Sequence, residues 1–235
     1  MMSAAAWGGG GGGGSGSGDS ARIARAIDAV QDSVDHIDSL VQRHAAIATL
    51  DSAVREIRRR TGVRLEADSV AGGYALDRAG RVLATVADSA LLTLGGQYLW
   101  IAPAGHSTRR PVGIPDPENS LRAIGTVELQ NGSVRTKSRE RADSARPVSV
   151  TVLASDALTA DAWSSAFFEM GCDSALVLAP RLEPSRVSVV CADSSGVRWT
   201  PDLEQRVLLP RVPGGRGEPA DQRRTRAAGR AGRAP

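Results

Sequence analysis

The sequence predicts an α+β domain in which helices pack on a mixed or antiparallel sheet. Helical periodicity dominates the N-terminal part of the chain, whereas most later apolar segments are short and typical of strands. Two further helical segments lie among those strands. Helices that precede a run of strands, with further helices to cover the sheet, favour the α+β class.

Composition divides the chain into a central domain and two flanking segments. Residues 1–18 are rich in Gly and Ser, which predicts a disordered arm. Residues 211–235 are rich in Gly, Pro, Ala and Arg, which predicts a disordered tail. The folded domain is therefore expected at residues 19–210.

Charge and hydropathy exclude several classes of function. Residues 211–235 contribute +5 to the formal net charge of +3, so residues 1–210 carry −2 and no specific nucleic-acid partner is expected. No apolar run approaches the roughly 20 residues of a transmembrane helix. No signal peptide is visible at the N-terminus, so the sequence by itself predicts a cytoplasmic location.

Two apolar stripes in the N-terminal part of the chain predict the first helices. The first stripe recurs every three or four residues and predicts a helix over about 20–44. A second stripe continues to Arg60, and Gly62 is expected to end it. Another helix is expected over about 73–87. The residues of the first stripe are Ile23, Ile27, Val30, Val34, Ile37 and Val41.

Short β-rich segments predict the strands. Asn131-Gly132 is the strongest hairpin signal, and it predicts that residues 125–129 pair with residues 133–135. Residues 187–191 and 196–199 are expected to form a final hairpin. The other predicted strands are 63–66, 91–94, 97–102, 112–114 and 148–154.

The most informative segment is the strand 148–154 with the helix that follows it. On that helix Asp161 and Ser165 are spaced i, i+4, so that a carboxylate and a hydroxyl share one face. Two hard oxygen ligands one turn apart suit Mg²⁺, which usually takes one or two carboxylates and completes its shell with water, carbonyls and phosphates. The alternative is an ordinary helix start, with Asp161 favourably placed near the positive end of the dipole.

Two cysteines complete the candidate residues. Cys172 and Cys191 lack the spacing of metal ligands, and both are expected to be small buried apolar residues. A single disulfide between them is the alternative.

Four parts of the sequence, in order, resemble the motifs of one known family. They are Glu66–Asp77, Thr93–Gly96, Arg110–Pro117, and the strand Ser149–Val152 with the helix Ala160–Ala166. The family is ApbE, the FAD:protein FMN transferases, and the resemblance covers about residues 63–200. It implies a domain of the ApbE type, with a sheet and packed helices.

The resemblance implies a site and a reaction. Mg²⁺ would be held by Asp161, by Ser165 where the family has Thr, and by the carbonyl of Ser69. The flavin nucleotide would contact a second set of positions, and no catalytic residue is assigned. The reaction implied is Mg²⁺-dependent transfer of FMN from FAD to a Thr or Ser hydroxyl of an acceptor flavoprotein, with release of AMP. The positions expected to contact the nucleotide are Glu66, Gly72, Gly73, Tyr74, Gly95 and Gly96.

Departures from the family pattern keep two alternatives open. Gly72 stands where the family has a lysine, Lys137 lies within the segment that resembles a Thr-Ser-Gly motif, and residues 139–147 replace a histidine-containing loop. One alternative is a flavin-nucleotide-binding or regulatory module without turnover. The other is a structural or interaction protein that uses the helix over 20–44 as a partner surface. Family members commonly act outside the cytoplasm, attached to the membrane.

Overall fold

A computed structural model describes most of the central part of the chain. It covers residues 2–7, 44–85, 87–102, 109–116, 119–139, 149–183 and 186–208, with six positions between 21 and 29. Those six positions are helical, as the first apolar stripe predicts. Most of the helix predicted over 20–44, residues 8–18 of the predicted arm and the predicted tail 211–235 lie outside the described residues.

The described strands form two antiparallel sheets. One sheet has seven strands in the order β1-β2-β3-β6-β7-β8-β9, and the other has three in the order β10-β5-β4. The strands are β1 (Met2–Trp7), β2 (Ser89–Leu94), β3 (Gln97–Ile101), β4 (Arg110–Asp116), β5 (Asn119–Leu129), β6 (Gly132–Ser138), β7 (Ser149–Ala154), β8 (Ser188–Asp193), β9 (Gly196–Trp199) and β10 (Val207–Leu208).

The helices cover one face of the seven-stranded sheet. They are α1 (His44–Thr61), α2 (Ala71–Leu83), α3 (Ala157–Met170) and α4 (Cys172–Leu178). Short 3₁₀ turns occur at Ala67–Val70, Ala179–Arg181 and Pro201–Leu203. No helix within these described ranges is long and apolar enough to cross a bilayer.

The core lies in two layers, because β7 is buried on both faces. On the helix side, Val150 and Val152 pack against Phe167 of α3. On the opposite side, Leu153 packs with Trp100 and with residues of the three-stranded sheet. Both faces of a strand must be apolar in this position, which explains the continuous apolar run that the sequence shows there.

Three predicted elements differ from the structure. Residues 2–7, predicted as part of a disordered arm, form β1 and pair along the edge strand β2, whose backbone groups would otherwise lack a strand partner on that side. Residues 63–66 were expected to form a strand but have no regular structure, and Val63 and Leu65 instead pack against the helix-side core. The Asn131-Gly132 turn joins β5 to β6 in different sheets, so the predicted hairpin is wrong.

The two cysteines form a disulfide between α4 and β8. Cys172 and Cys191 have Cα atoms 5.6 Å apart, within the range that a disulfide spans. Both residues are buried in the helix-side core. Burial was therefore predicted correctly, whereas the favoured expectation of two unpaired thiols was wrong.

Candidate functional site

The site is built around Asp161, on the second turn of α3. The first turn of that helix is fixed by two other carboxylates, because Asp156 accepts a hydrogen bond from the Thr159 amide at 2.8 Å. Asp77 accepts from the Ala157 amide at 2.7 Å and from the Leu158 amide at 2.9 Å. These caps satisfy amide groups that a helix start leaves without partners. The positive end of α3 is thus occupied by the protein's own side chains.

Burial raises the pKa of Asp77 above its ordinary value, because desolvation disfavours the carboxylate. The two amide hydrogen bonds from α3 oppose that shift, and the charge of Asp156 adds to it. Asp77 belongs to the segment that resembles the longest family motif, and its observed role is to dock α2 onto the start of α3.

Gly73 brings α2 into direct contact with Asp161. The Gly73 amide donates to Asp161 Oδ2 at 3.2 Å, and the Asp161 residue is 2% exposed. A methyl group at position 73 would lie 2.4 Å from the carbonyl oxygen of Ala157, so only glycine permits this approach. A methyl group at Gly72 would lie 3.6 Å from Oδ2, an ordinary contact. The predicted positions 72, 73 and 161 therefore do meet.

Two cations face the other oxygen of Asp161. Arg135 Nε lies 3.2 Å from Oδ1 and Lys137 Nζ lies 3.4 Å from it. Neither Oδ1 nor Arg135 Nε makes a hydrogen bond within the described part of the chain. Their distance is that of an ion pair, but the geometry does not meet the requirements of a hydrogen bond. Arg135 and Lys137 are alternate residues of β6 and project from the same face of the sheet.

The glycine turn between β2 and β3 is joined to the same cluster. Gly95 and Gly96 have φ of +54° and +78°, the left-handed pair that a two-residue hairpin of this type needs. Arg135 Nη1 donates to the Gly95 carbonyl oxygen. Arg135 therefore connects the glycine turn to Asp161, and the turn itself is exposed.

Other predicted residues take different positions. The Ser165 hydroxyl donates to the Asp161 carbonyl oxygen at 3.0 Å, within α3 itself. Ser69 and Glu66 are exposed, and the Ser69 hydroxyl donates to the Glu66 carbonyl at 2.7 Å. Tyr74 is partly buried and packs against the helix-side core. Of the predicted set, Gly73 contacts Asp161 directly, Gly72 lies beside it, and Gly95 is linked to it through Arg135.

Sequence reasoning missed Arg135 and Lys137. Their alternation on one strand was visible, and Lys137 is the only lysine in the chain. The pattern shows that both side chains share a face, but their partner Asp161 lies on another element. The meeting of these residues depends on how α3 folds back over β6.

The residues around Asp161 do not fit a magnesium ion. Mg²⁺ requires near-octahedral oxygen ligands at about 2.0–2.1 Å. An ion at that distance from Oδ1 would lie within about 5.5 Å of both cationic nitrogens, given their distances of 3.2 and 3.4 Å from the same oxygen. The three side chains carry a formal charge of +1, which repels a cation and attracts an anion. No cluster of three or more His, Cys, Asp or Glu ligands occurs among the residues that the structure describes.

Comparison with known proteins places the chain in a family. The sequence model of the ApbE family matches residues 4–190. The structure of the ApbE protein from Thermotoga maritima is similar, with a TM-score of 0.51 and 20% identity, over 82% of this chain and 78% of that chain. This likeness shows a shared fold. No curated protein matches the sequence significantly.

Two flavin transferase structures are also similar over shorter stretches. The flavin transferase ApbE from Vibrio cholerae has 17% identity and a TM-score of 0.45, over 61% of this chain and 52% of that chain. The flavinyl transferase ApbE from Pseudomonas stutzeri has 20% identity and a TM-score of 0.44, over 61% of this chain and 51% of that chain. The match therefore spans about half the length of each of these two enzymes.

Proposed function

The chain belongs to the ApbE family, and from this membership we propose that it binds FAD at the Asp161 site and transfers FMN to a Thr or Ser hydroxyl of an acceptor flavoprotein, with release of AMP. The family match over residues 4–190 carries the proposal of the reaction class. The arrangement of glycines and cations around Asp161 supports the choice of site.

The chemistry required is phosphoryl-type transfer within the FAD diphosphate. The acceptor hydroxyl oxygen forms a bond to the phosphorus of the FMN half, and the bond from that phosphorus to the bridging oxygen breaks. AMP leaves with the bridging oxygen, and the hydroxyl proton passes to solvent. In such a transfer the protein mainly positions the reacting groups and offsets charge on the phosphate oxygens.

The residues of this chain can supply both contributions. Gly95 and Gly96 have no side chains, so a bulky nucleotide can approach the backbone of their turn. Arg135 and Lys137 are partly exposed, with side-chain exposures of 18% and 27%, and can donate hydrogen bonds to phosphate oxygens. The resemblance implies Mg²⁺ dependence, whereas the residues around Asp161 do not fit the ion, and none of these contributions depends on the metal.

The test is FAD turnover by the purified full chain. FAD binding is followed by quenching of flavin fluorescence, and AMP release is followed by chromatography in the presence of a flavoprotein acceptor that carries a Thr target. We expect AMP and protein-bound FMN in equal amounts, with and without added Mg²⁺. Arg135→Gln should lower the yield, whereas Arg59→Gln, an exposed residue of α1, should not. Absence of both FAD binding and AMP release would refute the proposal.

A second candidate is a flavin-nucleotide-binding module without turnover. The observation that favours it is the enclosure of the Asp161 carboxylate by Gly73, Arg135 and Lys137. In this arrangement the carboxylate is engaged by one amide and two cations, so it serves to hold them in place. FAD binding without AMP release would select this candidate over the transferase.

We also propose that the domain works in an oxidising compartment. The disulfide Cys172–Cys191 supports this, because such bonds persist outside the reducing cytosol. Rapid acid quenching of cells, followed by alkylation under denaturing conditions, reports whether these buried thiols are free. Alkylation of both cysteines would contradict the location.

A further inference from the structure

The cluster of Asp161, Arg135 and Lys137 has one more positive than negative charge. Asp161 is a buried carboxylate with an exposed side-chain fraction of 3%, and both cations approach the same oxygen, Oδ1. One carboxylate balances one cation, so the second positive charge has no counter-charge within the cluster. Two cations held close together favour an anion as a further partner.

The cations differ in how firmly they are held. Arg135 is fixed at two points, since Nε lies beside Asp161 and Nη1 donates to the Gly95 carbonyl. Lys137 lies 3.4 Å from Oδ1 and is the more exposed of the two. Its ammonium group has three hydrogen-bond donors, so it can stay beside Asp161 and donate to a second oxygen. Lys137 is also the only lysine beside 28 arginines, so the chain places its one compact ammonium group at this cluster.

The surroundings leave room on the side of the glycines. Gly95 and Gly96 are exposed and form the turn whose carbonyl Arg135 contacts. Among the residues that the structure describes, a methyl group at Gly96 would meet no atom within 4 Å, and one at Gly95 would meet only Arg135 Nη1, at 3.7 Å. A ligand can therefore approach the two cations over a stretch of backbone without side chains.

We infer that Arg135 and Lys137 bind the diphosphate of the nucleotide directly, in the role that a divalent cation would otherwise fill, so that FAD binding by this chain is independent of Mg²⁺. This inference rests on the proposed function, because it names how that site recognises its ligand. Asp161 acts as a positioning residue: it holds the two cations side by side and is not a metal ligand.

The first test measures FAD affinity in EDTA and in Mg²⁺ with the full chain. We expect dissociation constants that agree within about threefold between the two conditions, because no metal contributes to binding. Lys137→Met should weaken binding about tenfold or more by removing a charge-assisted contact. Arg59→Gln removes a positive charge from α1 and should leave the affinity unchanged. ADP should compete with FAD, since it carries the same diphosphate.

Asp161→Asn distinguishes direct binding of the diphosphate by Arg135 and Lys137 from binding through a metal ion. Asparagine keeps an oxygen for the Gly73 amide but removes the charge that a metal would need. With direct recognition, binding in EDTA persists, because Arg135 and Lys137 keep their charges and Arg135 is still held by the Gly95 carbonyl. With a metal site, the substitution abolishes Mg²⁺-dependent binding. Circular dichroism and thermal melting establish that the variant is folded; should it not fold, Lys137→Met and the spectroscopic test below carry the decision.

Lys137, the only lysine of the sequence, provides a spectroscopic signal that FAD would not shift if the residue were merely structural. Labelling with ¹³Cε-lysine gives one signal, and direct contact predicts that it shifts when FAD is added in EDTA. FAD binding without a shift of that signal would overturn the inference. FAD binding that appears only with Mg²⁺ would also overturn it while leaving the proposed function standing. Absence of FAD binding in both conditions would overturn both.

Discussion

Replacing Gly73 by alanine tests the contact on which the geometry of the site depends. A methyl group at this position would lie 2.4 Å from the Ala157 carbonyl oxygen and 2.8 Å from the Leu158 Cα. Contacts of a Cβ closer than 3.0 Å essentially never occur, so α2 and α3 must separate by at least 0.6 Å. The atoms in the way belong to the backbone of α3, which is itself capped and packed, so this separation cannot be relieved by a side-chain rotation.

The expected effect follows from three contributions. Overpacking costs about 1–3 kcal/mol, and loss of the hydrogen bond from Gly73 to the Asp161 carboxylate costs about 1.5–3 kcal/mol. The greater helix propensity of alanine returns about 0.5–1 kcal/mol. Gly73→Ala should therefore lower the free energy of unfolding by about 2–5 kcal/mol.

Gly72→Ala is the matched control. It is the neighbouring residue of the same helix, and its added methyl group would make only ordinary contacts, at 3.6 Å to Asp161 Oδ2 and 3.9 Å to Leu94 Cδ2. It should be neutral or stabilising by up to about 1 kcal/mol. Urea unfolding followed by circular dichroism measures both variants. Equal midpoints for Gly73→Ala and Gly72→Ala would refute the close approach of α2 to α3.

Three further predictions concern groups that hold the site in place. Burial raises the pKa of Asp77, so the folded state takes up a proton more readily than the unfolded state. The free energy of unfolding, measured relative to that of Asp77→Asn, should therefore rise as pH falls from neutral towards the ordinary pKa of 3.8. A pH-independent difference between the two proteins would contradict this. Reduction of the disulfide Cys172–Cys191, which closes a loop with a sequence separation of 19, should cost about 3 kcal/mol, and an unchanged urea midpoint in reductant would count against it. Gln97→Leu removes the donor to the Ala157 carbonyl at 2.7 Å and should cost about 1–3 kcal/mol in thermal or urea unfolding, whereas wild-type stability would show that this buried contact is dispensable.

The sequence predicted the parts of the site that local patterns determine. Helical spacing and the run of strand 148–154 placed Asp161 on a helix after a buried strand, as observed for α3 and β7. The resemblance assigned Gly73 and Asp161 to one nucleotide site, and in the structure the Gly73 amide contacts the Asp161 carboxylate. Glycine pairs are informative because close backbone approach is a requirement that few other residues can meet.

The remaining features depend on tertiary placement that local patterns do not encode. Asn131-Gly132 does mark a turn, but a methyl group at Gly132 would lie 2.3 Å from the Ala154 carbonyl oxygen, so this turn packs against the end of β7 and leads into a different sheet. Arg135 and Lys137, which contact Asp161 from β6, could be assigned to one face of that strand but not to a partner. In the same way, burial of Cys172 was predictable from its surroundings, whereas its pairing required the position of β8.

Contact of Arg135 and Lys137 with the diphosphate, without a bridging metal, can be seen in a crystal structure of the full chain with FAD, grown in EDTA. We expect diphosphate oxygens within about 3 Å of the Arg135 guanidinium and the Lys137 ammonium, with Asp161 still beside both cations. A nucleotide bound away from these residues, or one that appears only when a magnesium ion joins it to Asp161, would contradict the account.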